Sequence, residues 1–335
     1  MSGAPCVALF GGSGFVGTHL ANQLVRAGYG LRVFTRDREH ARGLWLLPAT
    51  DVIVLDVADE ERVATALAGC VAAVNLIGRL HERRDNGADF RRAHVDTVQH
   101  LIKACKNARV PRLVHMSALK ADVAAPSHYL RSKGEAEKLL LAENNSRLRT
   151  TVLRPSVIFG PDDALLNRFA SLLRLAPGVM PLTSAEARLQ PVYVGDVVAA
   201  LVKVIAGRAA DLNTSYELVG PEVMTLRQIV AYVAALIARP TMIIPLGGFV
   251  ATLFAQMMEF APGKPLTRDN LRSLSVDSVC AGDNGLLALG IRPTPLDEIA
   301  PAYLGGRTQR AHRNGWRREA GMTGGGIETP VTPRP

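Results

Sequence analysis

The sequence predicts an α/β protein: a doubly wound parallel sheet followed by a smaller, mixed C-terminal lobe. Three observations lead there. An apolar run, Cys6 to Phe10, passes through Gly11-Gly12-Ser13-Gly14-Phe15-Val16-Gly17 into a helical pattern, Thr18 to Gly28, closed by a C-terminal glycine. Short β-rich runs and helical patterns then alternate to about residue 160. Beyond Gly160 the alternation breaks down, and prolines at Pro177, Pro181, Pro191, Pro221, Pro240 and Pro245 interrupt the helical pieces.

Each element has its own signal. Leu31 to Arg36 reads as the second strand, Asp51 to Val57 as the third and Ala72 to Gly78 as the fourth. A long polar helix is predicted from about Ala88 to Lys106, then a fifth strand over Arg112 to Ser117. Tyr129 to Glu143 reads as a helix and Thr150 to Pro155 as the sixth strand. Ligands of such sheets bind beyond the carboxyl ends of the strands, where Arg36, Asp56, Gly78, Ser117 and Pro155 fall. The expected organisation is a nucleotide-binding domain over 1–160, a lobe with interleaved core elements over 161–304, and a disordered basic tail over 305–335. Arg307, Arg310, Arg313, Arg317 and Arg318 crowd that tail.

The chain has 335 residues, 48% of them hydrophobic, enough for one large α/β domain and an appendage. Cys6, Cys70, Cys105 and Cys280 are scattered without metal-ligand spacing and read as reduced thiols of a cytoplasmic protein. No metal is expected. The first apolar run is too short, and lacks the basic leader, for a signal peptide. The net charge of +9 suits anionic partners, and the motifs point to a dinucleotide rather than a nucleic acid.

Strand, glycine turn and helix in succession form a dinucleotide site. Gly11 permits the tight turn, Gly14 lets a pyrophosphate approach the backbone, and Gly17 lets helix and strand pack closely. The helix N-terminus then attracts the phosphates. At the end of the second strand Arg36 stands where an acid would hold the ribose 2′-hydroxyl of NAD, and Arg38 follows. Two guanidiniums suit a 2′-phosphate, which favours NADP(H) over NAD(H). The competing reading gives the hydroxyl to Asp37 and leaves the arginines in solvent.

Tyr129-Leu130-Arg131-Ser132-Lys133 places a tyrosine and a lysine one helical turn apart. A nearby ammonium would lower the tyrosine pKa from its usual value of about 10. The pair could then exchange a proton with a carbonyl or hydroxyl, with Ser117 hydrogen-bonded to the same oxygen.

From these residues the chain resembles the short-chain dehydrogenase/reductase superfamily, in its extended or atypical branch. The glycine loop, Asp56-Val57, Ser117, Tyr129/Lys133 and Leu153-Arg154-Pro155-Ser156-Val157-Ile158-Phe159-Gly160-Pro161 carry the resemblance, joined by Gln190 to Val197 and Tyr216 to Pro221. It implies a Rossmann-type fold with Asp56 and Val57 beside the adenine. It also implies Leu76, Ile77 and Gly78 along the ribose and Pro155 near the nicotinamide. Val74-Asn75-Leu76-Ile77-Gly78, Pro265 to Asn270 and Leu289 to Leu296 look more narrowly like the family of the NADPH-binding accessory subunit of respiratory complex I, some relatives of which are tied to ubiquinone biosynthesis. The sequence departs from sugar-nucleotide epimerases in two places. The span between Ser117 and Tyr129 is short, and His94-Val95-Asp96-Thr97-Val98 replaces an Asn-Val-x-Gly-Thr step.

Two functional expectations follow. One is an NADP(H)-dependent oxidoreductase that uses Tyr129, Lys133 and Ser117 on a hydrophobic, quinone-related substrate. The other is a non-catalytic nucleotide-binding accessory or assembly protein of a membrane respiratory complex. Pro240 to Met258 carries no charge. It reads either as a buried lobe helix or as an apolar surface resting on the inner face of a membrane or on a partner. Pro245, Gly247 and Gly248 leave too short a helix for a full span.

Overall fold

The computed structural model describes residues 4–175, 178–207, 214–261 and 266–305. In chain order the strands are β1 (Cys6–Phe10), β2 (Gly30–Thr35), β3 (Thr50–Val54), β4 (Cys70–Asn75), β5 (Arg112–Met116), β6 (Arg149–Pro155), β7 (Ile158–Phe159), β8 (Gly178–Thr183), β9 (Arg188–Leu189), β10 (Val192–Tyr193), β11 (Ser215–Leu218), β12 (Met224–Thr225) and β13 (Thr241–Leu246). The helices are α1 (Phe15–Arg26), α2 (Glu60–Leu67), α3 (Ala88–Arg91), α4 (Thr97–Asn107), α5 (His128–Ala142), α6 (Leu166–Leu175), α7 (Val194–Ala206), α8 (Leu226–Leu236), α9 (Gly248–Met258), α10 (Arg268–Leu274), α11 (Gly285–Ala288) and α12 (Leu296–Leu304).

Seven strands form one sheet in the order β11-β6-β5-β4-β1-β2-β3, and every pair in it is parallel. Because both faces are covered, the strands read as nearly continuous apolar runs. Val7 and Leu9 of β1 pack with Leu20 and Leu24 of α1 and Leu201 of α7 on one face. Ala8 and Phe10 pack with Val63 of α2, Leu101 of α4 and Leu140 of α5 on the other. The chain reverses direction across the sheet between β1 and β4, so the crevice beyond their carboxyl ends is a switch point.

The sheet matches the predicted fold class, with shifted edges. α1 begins at Phe15 rather than Thr18, so the glycine motif itself enters the helix. β3 stops at Val54 and β4 at Asn75, which leaves Asp56-Val57 and Leu76-Ile77-Gly78 in loops. The helix predicted from Ala88 is α3 and α4 joined by a π turn at Arg92–Asp96. Both α7 and β11 lie beyond residue 160 yet complete the central sheet and its cover.

A third core holds the lobe together, with Leu166, Ile229, Val233, Leu296 and Leu304 from α6, α8 and α12. The uncharged stretch after Pro240 is neither a single helix nor buried. Its first part is β13, paired in parallel with β8 from Thr241↔Gly178 to Leu246↔Thr183. Its second part is α9, in which only Ala251 and Ala255 are buried. This corrects the buried-helix expectation. The arginine-rich tail beyond residue 305 lies outside the described residues.

Two glycines set the first turn. Gly11 has φ +77°, and a Cβ there would lie 2.9 Å from the Leu76 carbonyl carbon. A Cβ on Gly17 would lie 2.5 Å from the Gly11 carbonyl oxygen. Gly17→Ala should therefore destabilise the fold by about 1–3 kcal/mol, as overpacking does. Gly43→Ala, whose Cβ would meet nothing within 4 Å, should leave the thermal midpoint unchanged. Equal midpoints for the two variants would contradict the packing role of Gly17.

Candidate functional site

The crevice at the switch point is built from two loops that touch. The Leu76 N–H donates to the Phe10 carbonyl at 2.8 Å, and the Gly14 N–H donates to that of Gly11 at 3.1 Å. Gly14 is the N-cap of α1 and contributes no side chain. Helix geometry leaves the first N–H groups of α1 without an intrahelical acceptor. The first turn carries no acidic residue. A Cβ on Gly14 would meet only the Gly11 oxygen, at 3.4 Å, so the space before the helix is open. Exposed backbone donors, a helix dipole and no competing carboxylate fit a dinucleotide diphosphate. Ser13, Phe15 and Val16 complete this turn.

At the end of β2, Arg36 and Arg38 are both exposed. The Arg38 guanidinium sits 5.0 Å from the Trp45 ring centroid. Asp37 is occupied: its carboxylate accepts the Glu39 N–H at 2.9 Å and meets His40 Nδ1 at 2.7 Å. The His40 contact, with the Glu39 N–H, holds its pKa below the usual carboxylate range. Asp56 Oδ1 accepts the Ala58 N–H at 3.0 Å, and Val57 packs on the core beneath.

On α5 the two expected residues occupy different environments. Lys133, 3% exposed, donates from Nζ to the Met116 carbonyl at 2.9 Å. A Cβ on Gly78 would lie 3.8 Å from that nitrogen, so Lys133 joins the loop after β4 to the end of β5. Burial draws its pKa down to about 8, against the opposing pull of Glu137. Glu137 is itself paired with Arg154 of β6. Next to Met116, Ser117 is 4% exposed. Its N–H donates to Leu153 at 2.7 Å, yet its Oγ has no partner. Pro155, at the end of β6, accepts the Leu119 N–H at 2.8 Å.

Tyr129 packs edge-on against Phe90 at 5.8 Å and His94 at 5.6 Å between ring centroids. Burial raises its pKa to about 12. This corrects the expected lowering by Lys133: desolvation dominates, and the phenol stays protonated.

Three further residues shape the site. His94 is fully buried in the π turn. Its Nε2 accepts the Arg79 N–H at 3.0 Å, and its Nδ1 lies 2.7 Å from Ser132 Oγ. Ser132 donates in turn to the Tyr129 carbonyl at 2.8 Å. His94 is thus neutral with its proton on Nδ1, and burial together with nearby Lys133 and His115 keeps its pKa far below normal. His115 lies buried on β5, with Nδ1 3.1 Å from Asn75 Nδ2. Asp269 on α10 reaches across from the lobe. Its carboxylate accepts the His128 N–H at 2.7 Å and the Tyr129 N–H at 3.1 Å, capping the helix that carries Tyr129.

Asp269 also belongs to an ion-pair network. Arg272 bridges Asp269 and Asp85, and Arg268 bridges Glu259 and Asp85. Glu82, Asp85 and His128 bring possible ligand atoms within 4.8 Å of one another, but the two arginines already neutralise Asp85. Sequence reasoning singled out Leu266 to Asn270 without a role, and capping supplies one. Pro265 of that motif lies outside the described residues.

The phosphate-binding turn at a switch point and the tyrosine–lysine helix beside it define a dinucleotide-binding protein of the short-chain dehydrogenase/reductase type. A family profile described as NAD(P)H-binding matches residues 11–165. Mitochondrial NADH dehydrogenase (ubiquinone) 1 alpha subcomplex subunit 9 of Mus musculus is 30% identical over 297 residues, 86% of this chain and 77% of the relative. The chain belongs to the family of that respiratory subunit. A 4-hydroxy-2-methyl-3-oxo-4-farnesyl-3,4-dihydroquinoline-1-oxide ketoreductase of Stigmatella aurantiaca is 30% identical over 181 residues, 49% of this chain and 54% of the relative. Among solved structures, the dTDP-glucose 4,6-dehydratase DesIV of Streptomyces venezuelae, with NAD and TYD bound, aligns with a TM-score of 0.70. It covers 93% of this chain and 98% of its own at 20% identity, a likeness of fold.

Burying Lys133 ties stability to pH. Its folded pKa of about 8 lies below the ordinary value of 10.5. Between these values the unfolded chain binds the proton more tightly, so this contribution to stability rises with pH across the window. The rise should approach about 1.4 kcal/mol per pH unit. Lys133→Met should remove it. Denaturant unfolding of both proteins from pH 7.5 to 9.5 checks this, and parallel profiles would refute it.

Proposed function

We propose that this protein is an NAD(P)H-dependent reductase of a carbonyl or quinone group on a hydrophobic substrate. The observation that carries the reading is Ser117 Oγ, buried without a partner beside the Lys133–Met116 contact. A buried hydroxyl left unsatisfied is costly unless something polar meets it, and a substrate oxygen would do so. The dinucleotide would supply hydride. Tyr129, protonated with a pKa of about 12, would give its proton to the substrate oxygen held by Ser117. Lys133 would fix the ribose end beside Gly78 and stabilise the phenolate that remains. Asp37 is committed to its own turn while Arg36 is exposed, which favours NADP(H) over NAD(H). In this reading residues 1–160 bind the nucleotide and 161–304 form the lobe that closes over the substrate.

Tyr129→Phe should lower turnover by roughly two to four decades, the usual worth of a positioned acid, with NADPH affinity nearly unchanged. Following NADPH absorbance with hydrophobic quinones and ketones checks this. Full turnover in the variant would overturn the role of Tyr129. A wild-type protein that binds NADPH but reduces nothing would leave the second reading.

That second reading is a nucleotide-binding accessory protein of a membrane respiratory complex, lying on the cytoplasmic, inner face of the membrane. The respiratory-subunit relative supports it, as does an apolar face on the lobe. Phe249, Leu253 and Met257 recur at helical spacing along α9 and are exposed, Phe249 by 80%. Phe260, just beyond, is 90% exposed. Such a face, larger than scattered surface residues, marks contact with a partner or a bilayer. No described helix is long and apolar enough to cross a membrane.

Serine at Phe249, Leu253 and Met257 together should therefore shift the protein from sedimenting with anionic phospholipid vesicles to the supernatant. The thermal midpoint should hold, because little of this surface is buried within the fold. A fall in midpoint with unchanged sedimentation would mean that the face is core.

A further inference from the structure

At the amino ends of β1 and β4, far from the crevice, two thiols face each other. Cys6 and Cys70 are register partners on adjacent parallel strands, with a register irregularity just after Cys6. The Cys70 thiol points at Cys6 Sγ, 3.7 Å away. Arg32 of β2 lies beside them, with its Nη1 3.8 Å from Cys70 Sγ. That guanidinium is anchored on the Ala66 and Ala68 carbonyls at the end of α2, at 2.8 Å and 2.6 Å. Cys6 is partly exposed, whereas Cys70 is buried. The other two cysteines lack this arrangement. Cys105 is alone in the core, and burial pushes its thiol up to about 12. Cys280 donates to Glu217 at 3.0 Å, and burial with that carboxylate raises its pKa.

We propose that Cys6 and Cys70 form a hydroperoxide-reactive dithiol that closes to an intramolecular disulfide. Neighbouring strands place the two Cα atoms within the usual disulfide span, and the sulfurs need to close from 3.7 Å to about 2.05 Å. Cys6, the accessible sulfur, is the nucleophile. The hydrogen bond from Cys70, helped by Arg32 and opposed by burial and Asp51, lowers its pKa from the ordinary thiol value. That favours the nucleophilic thiolate at the accessible sulfur. The same hydrogen bond and burial raise the Cys70 thiol, so it waits as the resolving group.

The chemistry balances in two steps. The Cys6 thiolate attacks the terminal peroxide oxygen, the O–O bond breaks, and the sulfenic acid forms as hydroxide or alkoxide leaves and takes a proton from water. Cys70 sulfur then attacks Cys6 sulfur, the S–O bond breaks, its thiol proton leaves with the hydroxyl as water, and the disulfide remains. Two electrons pass from the sulfurs to the peroxide. The product staples β1 to β4, whose other ends carry the two loops of the crevice.

The test uses the full chain and hydrogen peroxide. Near-stoichiometric peroxide should lower the free thiols from the four of the reduced protein by half, with a Cys6–Cys70 peptide seen by mass spectrometry and reversal by dithiothreitol. Cys70→Ala should stop at Cys6 sulfenic or sulfinic acid, at a rate still above that of Cys105 and Cys280. Cys6→Ser should leave Cys70 unoxidised. Oxidation of Cys6 no faster than of Cys105 or Cys280 would overturn the proposal, as would sulfinic acid at Cys6 in the wild type without a cross-link. Neither outcome depends on whether the crevice catalyses a reduction.

Discussion

A buried ammonium governs the centre of this molecule. Lys133 is held out of water by β5, α5 and the loop after β4, with one hydrogen bond to the Met116 carbonyl. A charge in that position is costly unless its surroundings answer it. They do so in a consistent way. Glu137, one turn along α5, favours the charged form, and Arg154 holds Glu137 in place. His94 and His115 remain neutral because burial and Lys133 oppose a second and third positive charge. The tyrosine stays protonated for its own reason, desolvation. The site at rest therefore holds a protonated phenol and one buried ammonium on the same helix.

The central sheet was legible because its signals are local. A buried parallel strand is an apolar run, and a phosphate turn is a glycine pattern between a strand and a helix. The ends of β3 and β4 were misplaced because apolar residues continue past them: Val57 and Ile77 still pack on the core from loops. In the structure Ser117 directly follows β5 and Lys133 reaches the Met116 carbonyl at the same end of the sheet. The sequence could not supply the protonation states there. The expected lowering of Tyr129 came from a one-turn spacing to Lys133, whereas the outcome depends on how much protein surrounds the phenol. The lobe was least legible. β13 pairs with β8 across roughly sixty residues of chain, and no window of sequence carries that contact.

The lobe is fastened to α5 by charge. Asp269 substitutes for a side-chain cap beyond Ser127, which itself accepts the Leu130 N–H. The first turn of α5 thus takes its acceptors from two separate parts of the chain. Arg272 and Arg268 carry the connection on to Asp85 and Glu259, the residue immediately after the apolar helix α9. The exposed apolar helix α9 and the helix that presents Tyr129 are therefore two ends of one ion-pair network. Pairs of this kind add little net stability, because desolvation opposes their attraction.

The groups that divide the two functional readings are those without a structural task. Gly11 and Gly17 are required by packing, and Lys133 is hydrogen-bonded to backbone. An accessory protein that only held a nucleotide would need all three. Ser117 Oγ and the Tyr129 hydroxyl are different. Ser117 Oγ is buried and unpaired, and the Tyr129 contacts within the fold are made by its ring and its backbone. For holding the fold alone, alanine would serve at position 117 at lower desolvation cost. Ser117 Oγ, a polar atom buried at a cost near a cation with a suppressed pKa and a phosphate-binding turn, is what favours the reductase reading over the accessory one.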